Sequence, residues 1–296
     1  MIVLMEYILT YTVLALLGLI LGSFAGATVW RLRARQLVAD KASDEEYDER
    51  EYKQLHKLTK NSLMKDRSVC LHCSYELKWY DLLPLVSWIS LRGKCRSCRK
   101  PIGYFEPVME LSVALFFVLS YAFWPFALSE PYQIVQFVIW LVAGVALAIL
   151  AAYDAKWFLL PSKLNYVVVG LGVINAAIVV LTSATQIETL LSVVAGAGIL
   201  SGIYAILYLV SKGKFIGFGD IILGLGLALL LADWQLAFIA LCAANLVGCL
   251  IVIPGMLTGK LKRTSHVPFG PLLIAGWLIA GLWGFYIIDF YSLSLL

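Results

Sequence analysis

Asp154 and Asp220 stand at the ends of two strongly apolar runs, the second acid inside Gly217-Phe218-Gly219-Asp220. A carboxylate at membrane depth costs roughly 2.5–3.5 kcal/mol on insertion scales, so acids retained there point to function. Two carboxylates a few ångströms apart share one proton: one acts as base on a water while the other polarises a carbonyl, and the pair titrates as a unit. Pro161, seven residues after Asp154, breaks the helix and gives the acid access to water. Gly217 and Gly219 let backbone or substrate approach Asp220 closely. Taken singly, each acid also reads as a helix cap or as a partner for Lys156 or Lys214. The pair on one face favours catalysis.

A second constellation is Cys70-Leu71-His72-Cys73 and Cys95-Arg96-Ser97-Cys98, two Cys-x-x-Cys knuckles with 21 residues between them. Four thiolates at this spacing suit a tetrahedral metal, and zinc is the expected ion. A reducing compartment disfavours disulfides, and a clustered iron–sulfur pattern fits the spacing less well. Thiolates fill all four positions, so the metal is structural rather than catalytic. His72 reads as a surface residue, and Cys242 and Cys249 as small buried hydrophobes of an apolar span.

The elements that must hold these residues are membrane helices. The chain is 61% hydrophobic and 14% charged, with mean hydropathy +0.86, against roughly 25% charged in a soluble domain. Runs long enough for a bilayer, about 20 residues, fall near 5–29, 107–128, 132–152, 164–182, 189–210, 218–232, 235–257 and 268–290. The fold class is an all-α polytopic membrane protein of about eight transmembrane helices with a small cytoplasmic zinc-ribbon-like insert. The run 218–232 is the shortest.

In this topology all 23 Lys and Arg fall on one side: those from Arg31 to Lys100, then Lys156, Lys163, Lys212, Lys214, Lys260, Lys262 and Arg263. The positive-inside rule makes that side cytoplasmic, with both termini and the loops near Ser129–Pro131, Ser183–Glu188 and Ala232–Asp233 outside. Residues Met1 to Thr10 carry Glu6 and no positive charge, and Arg31, Arg33 and Arg35 follow the run as a stop-transfer flank. The run therefore reads as a span rather than a signal peptide.

Composition divides the chain into a first helix (1–30), a cytoplasmic insert with the four-cysteine module (31–105) and a membrane-embedded body (106–296). Within the insert, Asp40 to Lys60 alternates acids and bases and reads as a solvated helix or spacer; Glu49 and Lys53 are four apart, as are the like-charged Lys53 and Lys57, so pairing support for a helix is mixed. With few aliphatic residues, the insert needs metal for much of its folding free energy. Gly196, Gly198, Gly202, Gly224 and Gly226 are expected to permit close helix packing.

With these residues in place, the chain resembles the prepilin peptidases, or type IV leader peptidases, of the GxGD class of intramembrane aspartic proteases. The resemblance runs through Gly22-Ser23-Phe24, Trp30-Arg31-Leu32, the first knuckle, Trp79-Tyr80-Asp81 and Pro84-Leu85-Val86-Ser87-Trp88. It continues through Arg92-Gly93-Lys94 and the second knuckle, Pro101-Ile102, Glu110-Leu111, Asp154 with Leu160-Pro161, and Gly217-x-Gly219-Asp220. Pro268-Phe269-Gly270-Pro271 resembles a further family motif, expected to shape a substrate groove or to start a helix.

The resemblance implies Asp154 and Asp220 as catalytic acids that remove a short basic leader from type IV pilins or pseudopilins, after a glycine at the cytoplasmic membrane face. It also implies methylation of the new amino terminus with S-adenosylmethionine, in the region of Gly93, Glu110 and the cysteines. The implied setting is the bacterial inner membrane, beside lipid and the pilus or type II secretion assembly machinery, with no nucleic acid. The chain departs from the family at Ile222, where a lysine is usual, and at Ser162, where an acid is usual. The competing reading is a proton- or sodium-coupled transporter using Asp154 and Asp220.

Overall fold

The computed structural model describes residues 2–59, 67–214, 216–260 and 266–294. Lys60, Lys65, Lys262 and Arg263, counted above on the basic side, lie outside them. Among the described residues the regular structure is helical, and strand-like pairing is confined to two isolated bridges. The chain divides into two compact units, Met1–Tyr121 and Ala122–Leu296.

The first unit contains α1 (Ile2–Ala42), α2 (Glu49–Leu55), α3 (Val86–Ser90) and α4 (Phe105–Ala122). At 41 residues, α1 is about 60 Å long and outruns a bilayer core. Gly18 and Gly22, four apart, bring α1 against the backbone of α4: a methyl group on either would lie 2.6 Å from Ala114 Cα or 2.7 Å from Glu110 Cα. This contact holds the Glu110 backbone against α1.

Beyond Arg31 the helix does not end, because the sequence to Ala42 has no Gly or Pro to stop it. Ala34 and Leu37 there meet Leu55 of α2 in a small core, joined by Trp30, Tyr47, Tyr52, Leu58 and Leu71. Of the two expectations for 40–60, the solvated helix holds over Glu49–Leu55, and the spacer is corrected, because Leu55 anchors that helix in this core. Its charges divide between solvent and α1: Glu49 pairs with Lys53 at 3.4 Å in solvent, while Glu51 accepts from Arg33 Nε at 2.9 Å. Asp48 caps α2 by accepting the Arg50 and Glu51 N–H groups at 2.8 and 3.1 Å. Those N–H groups, Glu51's first, hold the Asp48 carboxyl below its ordinary range.

The second unit comprises α5 (Pro131–Trp157), α6 (Ser162–Thr182), α7 (Gln186–Ala197), α8 (Ile203–Ser211), α9 (Phe218–Leu231), α10 (Trp234–Leu257) and α11 (Gly270–Ser294). A π-helical turn, Gly198–Gly202, joins α7 to α8. Among the described residues of the whole chain, seven helices are long and apolar enough to cross a membrane, counting Gln186–Ser211 as one. The eighth expected span is α9, whose 14 residues reach about 21 Å, less than a bilayer core of about 30 Å. Ala232 stops it in the left-handed region (φ +52°), and Asp233 caps the next helix at once.

Helix α9 is pinned to α6 at both ends. Asn165 Nδ2 donates to Gly219 O at 3.0 Å and Asn175 Nδ2 donates to Leu230 O at 2.9 Å. Between these clamps a methyl on Gly226 would lie 2.9 Å from Val168 Cγ1. Gly224 approaches Leu200 O in the π turn, and Ser201 Oγ donates to Ile221 O at 3.0 Å. Gly198 and Gly202 face open space, so of the five glycines expected to pack, these two do not. Cys242 and Cys249 are exposed on α10, not buried: in a membrane span, apolar side chains face outward as readily as inward.

Candidate active site and metal centre

Asp154 lies in the last turn of α5 and is 5% exposed. The helix closes just after it, where Phe158 takes the left-handed region and donates its N–H to Asp154 O at 2.8 Å. Leu159 and Leu160 then lead to Pro161, which stands immediately before α6; the break it was expected to cause is completed upstream at Phe158. Asp154 Oδ2 accepts the N–H of Gly270 at 2.9 Å. Gly270 opens α11, where backbone donors have no partner within the helix and the dipole favours an anion.

Asp220 sits in the first turn of α9, and its Oδ2 accepts the Gly217 N–H at 3.1 Å. Both carboxylates thus rest on helix N-termini through one oxygen, and each Oδ1 has no protein hydrogen-bond partner among the described residues. Leu160 joins the two. A methyl on Gly219 would lie 3.0 Å from its Cβ, and one on Gly270 would lie 3.3 Å from its Cδ2. Asp154 lies within electrostatic reach of Asp220. Pro268-Phe269-Gly270-Pro271 takes the helix-start role, with Phe269 O accepting from Leu272 and Leu273, and the Phe269 ring packs edge-on against Tyr204 at 5.2 Å.

In the first unit the sulfurs of Cys70, Cys73, Cys95 and Cys98 all lie within 4.8 Å of one another, an arrangement that could hold a metal ion. The two knuckles are built alike. Each first cysteine accepts an N–H through its carbonyl from the residue four on, Ser74 or Arg99, and both of those residues have positive φ. Each turn is closed by a bridge, Val69 with Glu76 and Lys94 with Pro101. Burial pushes the Cys70 thiol up to about 12, whereas the Tyr75 N–H brings Cys73 down to about 7. His72 is exposed, as expected.

A cavity of about 350 Å³ adjoins this centre, with Cys70, Cys95, Trp30, Trp88, Glu106 and Glu110 in its wall. Glu110 is 6% exposed, accepts the Leu85 N–H at 2.8 Å through Oε2 and is hydrogen-bonded to the Ser23 side chain. Gly93 adopts φ +68°, which favours glycine, and a methyl there would meet the Trp88 ring at 3.0 Å. Its backbone donates to Trp88 O and accepts from Ile102 N, both at 2.8 Å, so it ties α3 to the second knuckle. Asp81, nearly buried, accepts from Arg96 Nε at 2.7 Å and braces the same knuckle.

Residues 16–124 match the family model described as Bacterial Peptidase A24 N-terminal domain. A prepilin leader peptidase/N-methyltransferase of Pseudomonas aeruginosa is 32% identical over 274 residues, covering 91% of this chain and 89% of the relative. The chain belongs to the prepilin leader peptidase/N-methyltransferase family. A family member of Aeromonas hydrophila is 31% identical over 285 residues, 93% of this chain and 91% of that one. Another, of Stutzerimonas stutzeri, is 29% identical over 274 residues, 90% and 89% of the two chains. No solved structure matches the chain.

Nothing in the prepilin peptidase comparisons or the geometry favours a transporter: both acids lie at helix ends, not mid-helix. Two neighbours of the acids, Asn165 and Tyr204, are not marked out by the sequence, and a third, Leu160, is marked only by the family resemblance. Asn165 is fully buried and holds Gly219; like Asn175, it is an amide in an apolar run, which was its available signal. Leu160 wedges between Gly219 and Gly270; the resemblance includes it, but nothing local to it points to that wedge. Tyr204, 4% exposed and within electrostatic reach of Asp220, was hidden among other aromatics.

Proposed function

We propose that the chain removes the basic leader of type IV pilin or pseudopilin precursors, after a glycine at the cytoplasmic membrane face, and then methylates the new amino terminus. The observation that carries this reading is the convergence of Asp154 and Asp220 from separate helices, each fixed through Oδ2 with Oδ1 left for water. One carboxylate takes a proton from that water as its oxygen bonds the scissile carbonyl carbon. The other, protonated, donates to the carbonyl oxygen. Collapse of the tetrahedral intermediate breaks the C–N bond, and the leaving amine takes a proton from the pair.

Segregation of the basic residues supports a cytoplasmic active site in the bacterial inner membrane, among lipid and near the pilus or secretion assembly machinery. Gly217, Gly219 and Pro161 shape the acids' surroundings, and Pro268 to Pro271 border them on the substrate side. Because a methyl on Gly270 would lie 2.8 Å from Asp154 Oδ2, Gly270→Ala is expected to displace that carboxylate and lower kcat about 10- to 100-fold, with little change in thermal stability. Steady-state cleavage kinetics check it.

Zinc suits the four sulfurs. A metal–sulfur bond of about 2.3 Å in a tetrahedron needs sulfurs about 3.8 Å apart, and the Cys70–Cys98 and Cys73–Cys95 pairs are 4.0 and 3.9 Å apart. Its role is to fold the insert and the cavity beside it. S-adenosylmethionine supplies an electrophilic methyl group when bound, and the Glu106 and Glu110 carboxylates with the Trp30 and Trp88 indoles fit a cationic ligand of that kind. In this reading Glu110, in the wall of the same cavity, accepts the proton that the amine loses on methylation. Product masses after incubating the purified chain with a leader-bearing pilin peptide test both halves. The peptide should be cut with or without the donor and gain one methyl only with it. Glu110→Gln should keep the cut and lower methylation by about 10²-fold.

A further inference from the structure

We propose that a second cavity, in the unit Ala122–Leu296, binds the headgroup of a zwitterionic phospholipid bearing a primary ammonium. This cavity measures about 550 Å³, within the range of about 300–1,000 Å³ usual for ligand sites. Neither Asp154 nor Asp220 lines it. It lies instead by the loops near Ser129–Pro131, Ser183–Glu188 and Ala232–Asp233, which carry no Lys or Arg.

Its wall makes two opposite chemical demands. Six aromatic side chains face it, Trp124, Phe126, Tyr132, Trp140, Trp234 and Phe285, and aromatic faces attract cations. Glu188 and Asp233 add two carboxylates, and neither forms an ion pair among the described residues. Asp233 is engaged as a cap, accepting from Gln235 N at 2.8 Å, Leu236 N at 3.0 Å and Ser192 Oγ at 3.2 Å. Glu188 has no hydrogen-bond partner among the described residues either, so its carboxylate is available to an ammonium N–H.

The same wall offers donors that lack acceptors. The Trp124 indole N–H is buried without a partner. Gln133 uses its oxygen to accept from Ser129 N at 3.1 Å and Glu130 N at 3.0 Å, which leaves its amide N–H groups for a ligand. A simple cation would leave these donors unmet, and a simple anion would face two carboxylates. A phosphate ester carrying an ammonium meets both demands, with its oxygens on Trp124 and Gln133 and its nitrogen on Glu188 and the rings. The bilayer supplies that chemistry at the depth where Trp and Tyr collect.

The test uses the purified full chain, stripped of lipid and returned to vesicles of equal phosphatidylethanolamine and phosphatidylglycerol, with retained lipid read by native mass spectrometry. Phosphatidylethanolamine should be retained about tenfold over phosphatidylglycerol, the scale of one charge-assisted hydrogen bond. Glu188→Gln and Trp124→Phe should each bring retention towards parity, with leader cleavage and thermal unfolding unchanged. Should Trp124→Phe fail to fold, Glu188→Gln, at an exposed position, decides alone. Equal retention of both lipids, or a preference untouched by Glu188→Gln, overturns the proposal. So does displacement of the lipid by soluble phosphoethanolamine at comparable concentration, which would assign the site to a free solute.

Discussion

Asp154→Asn and Asp220→Asn are each expected to lower kcat/KM for leader cleavage by about 10³- to 10⁴-fold, the range lost with an essential general acid or base. Asparagine keeps the shape and the carbonyl oxygen of aspartate. In Asp154→Asn the amide oxygen still accepts the Gly270 N–H, and Asn is as good as Asp at a helix start, so α9 and α11 keep their first turns. What is lost is the ability to take or give a proton. Thermal unfolding and a membrane-extraction profile like the parent's, alongside lost turnover, would separate chemistry from folding.

The second large effect follows from the metal centre. Structural zinc contributes apparent free energies of about 10–16 kcal/mol in small thiolate domains, far more than the core around Leu37 and Leu55 can replace. Chelation, or Cys70→Ser with Cys98→Ser, is expected to release one zinc per chain and to open the knuckles to protease. Methylation should fall with them, because Cys70 and Cys95 form part of the wall that holds Glu110 and Trp88. Cleavage should persist at least in part, since both acids and their supports, Gly270, Leu160 and Asn165, belong to the other compact unit. Metal analysis, limited proteolysis and product masses from one preparation check all three.

Sequence made the helical membrane body legible because hydropathy and helix length answer to the same bilayer. All eight apolar runs are helices, and the knuckle spacing alone gathers four sulfurs. Helix ends were less legible. Nothing local ends α1 near Arg31, and the charges of 40–60 masked the apolar positions Tyr47, Tyr52 and Leu55 that dock α2 against Leu37. Spacing could nominate Asp154 and Asp220 but not their supports. The Gly270 N–H reaches Asp154 across 116 positions of sequence, and Asn165 reaches Gly219 across 54. Such contacts depend on which helices pack together, which apolar runs of similar composition do not encode. The glycines beside the acids matter through close approach: Gly217 and Gly219 keep ordinary negative φ, so flexibility is not what they supply.

The most direct test of two acids acting on one water is the cycle formed by the parent chain, Asp154→Asn, Asp220→Asn and the double variant, compared by kcat/KM for leader cleavage. Groups that act as a unit are lost together, so the double variant should fall no further than the weaker of the two single variants, within about a factor of ten. Losses that multiply, or appreciable turnover in either single variant, would show that the two carboxylates act independently and would contradict the account.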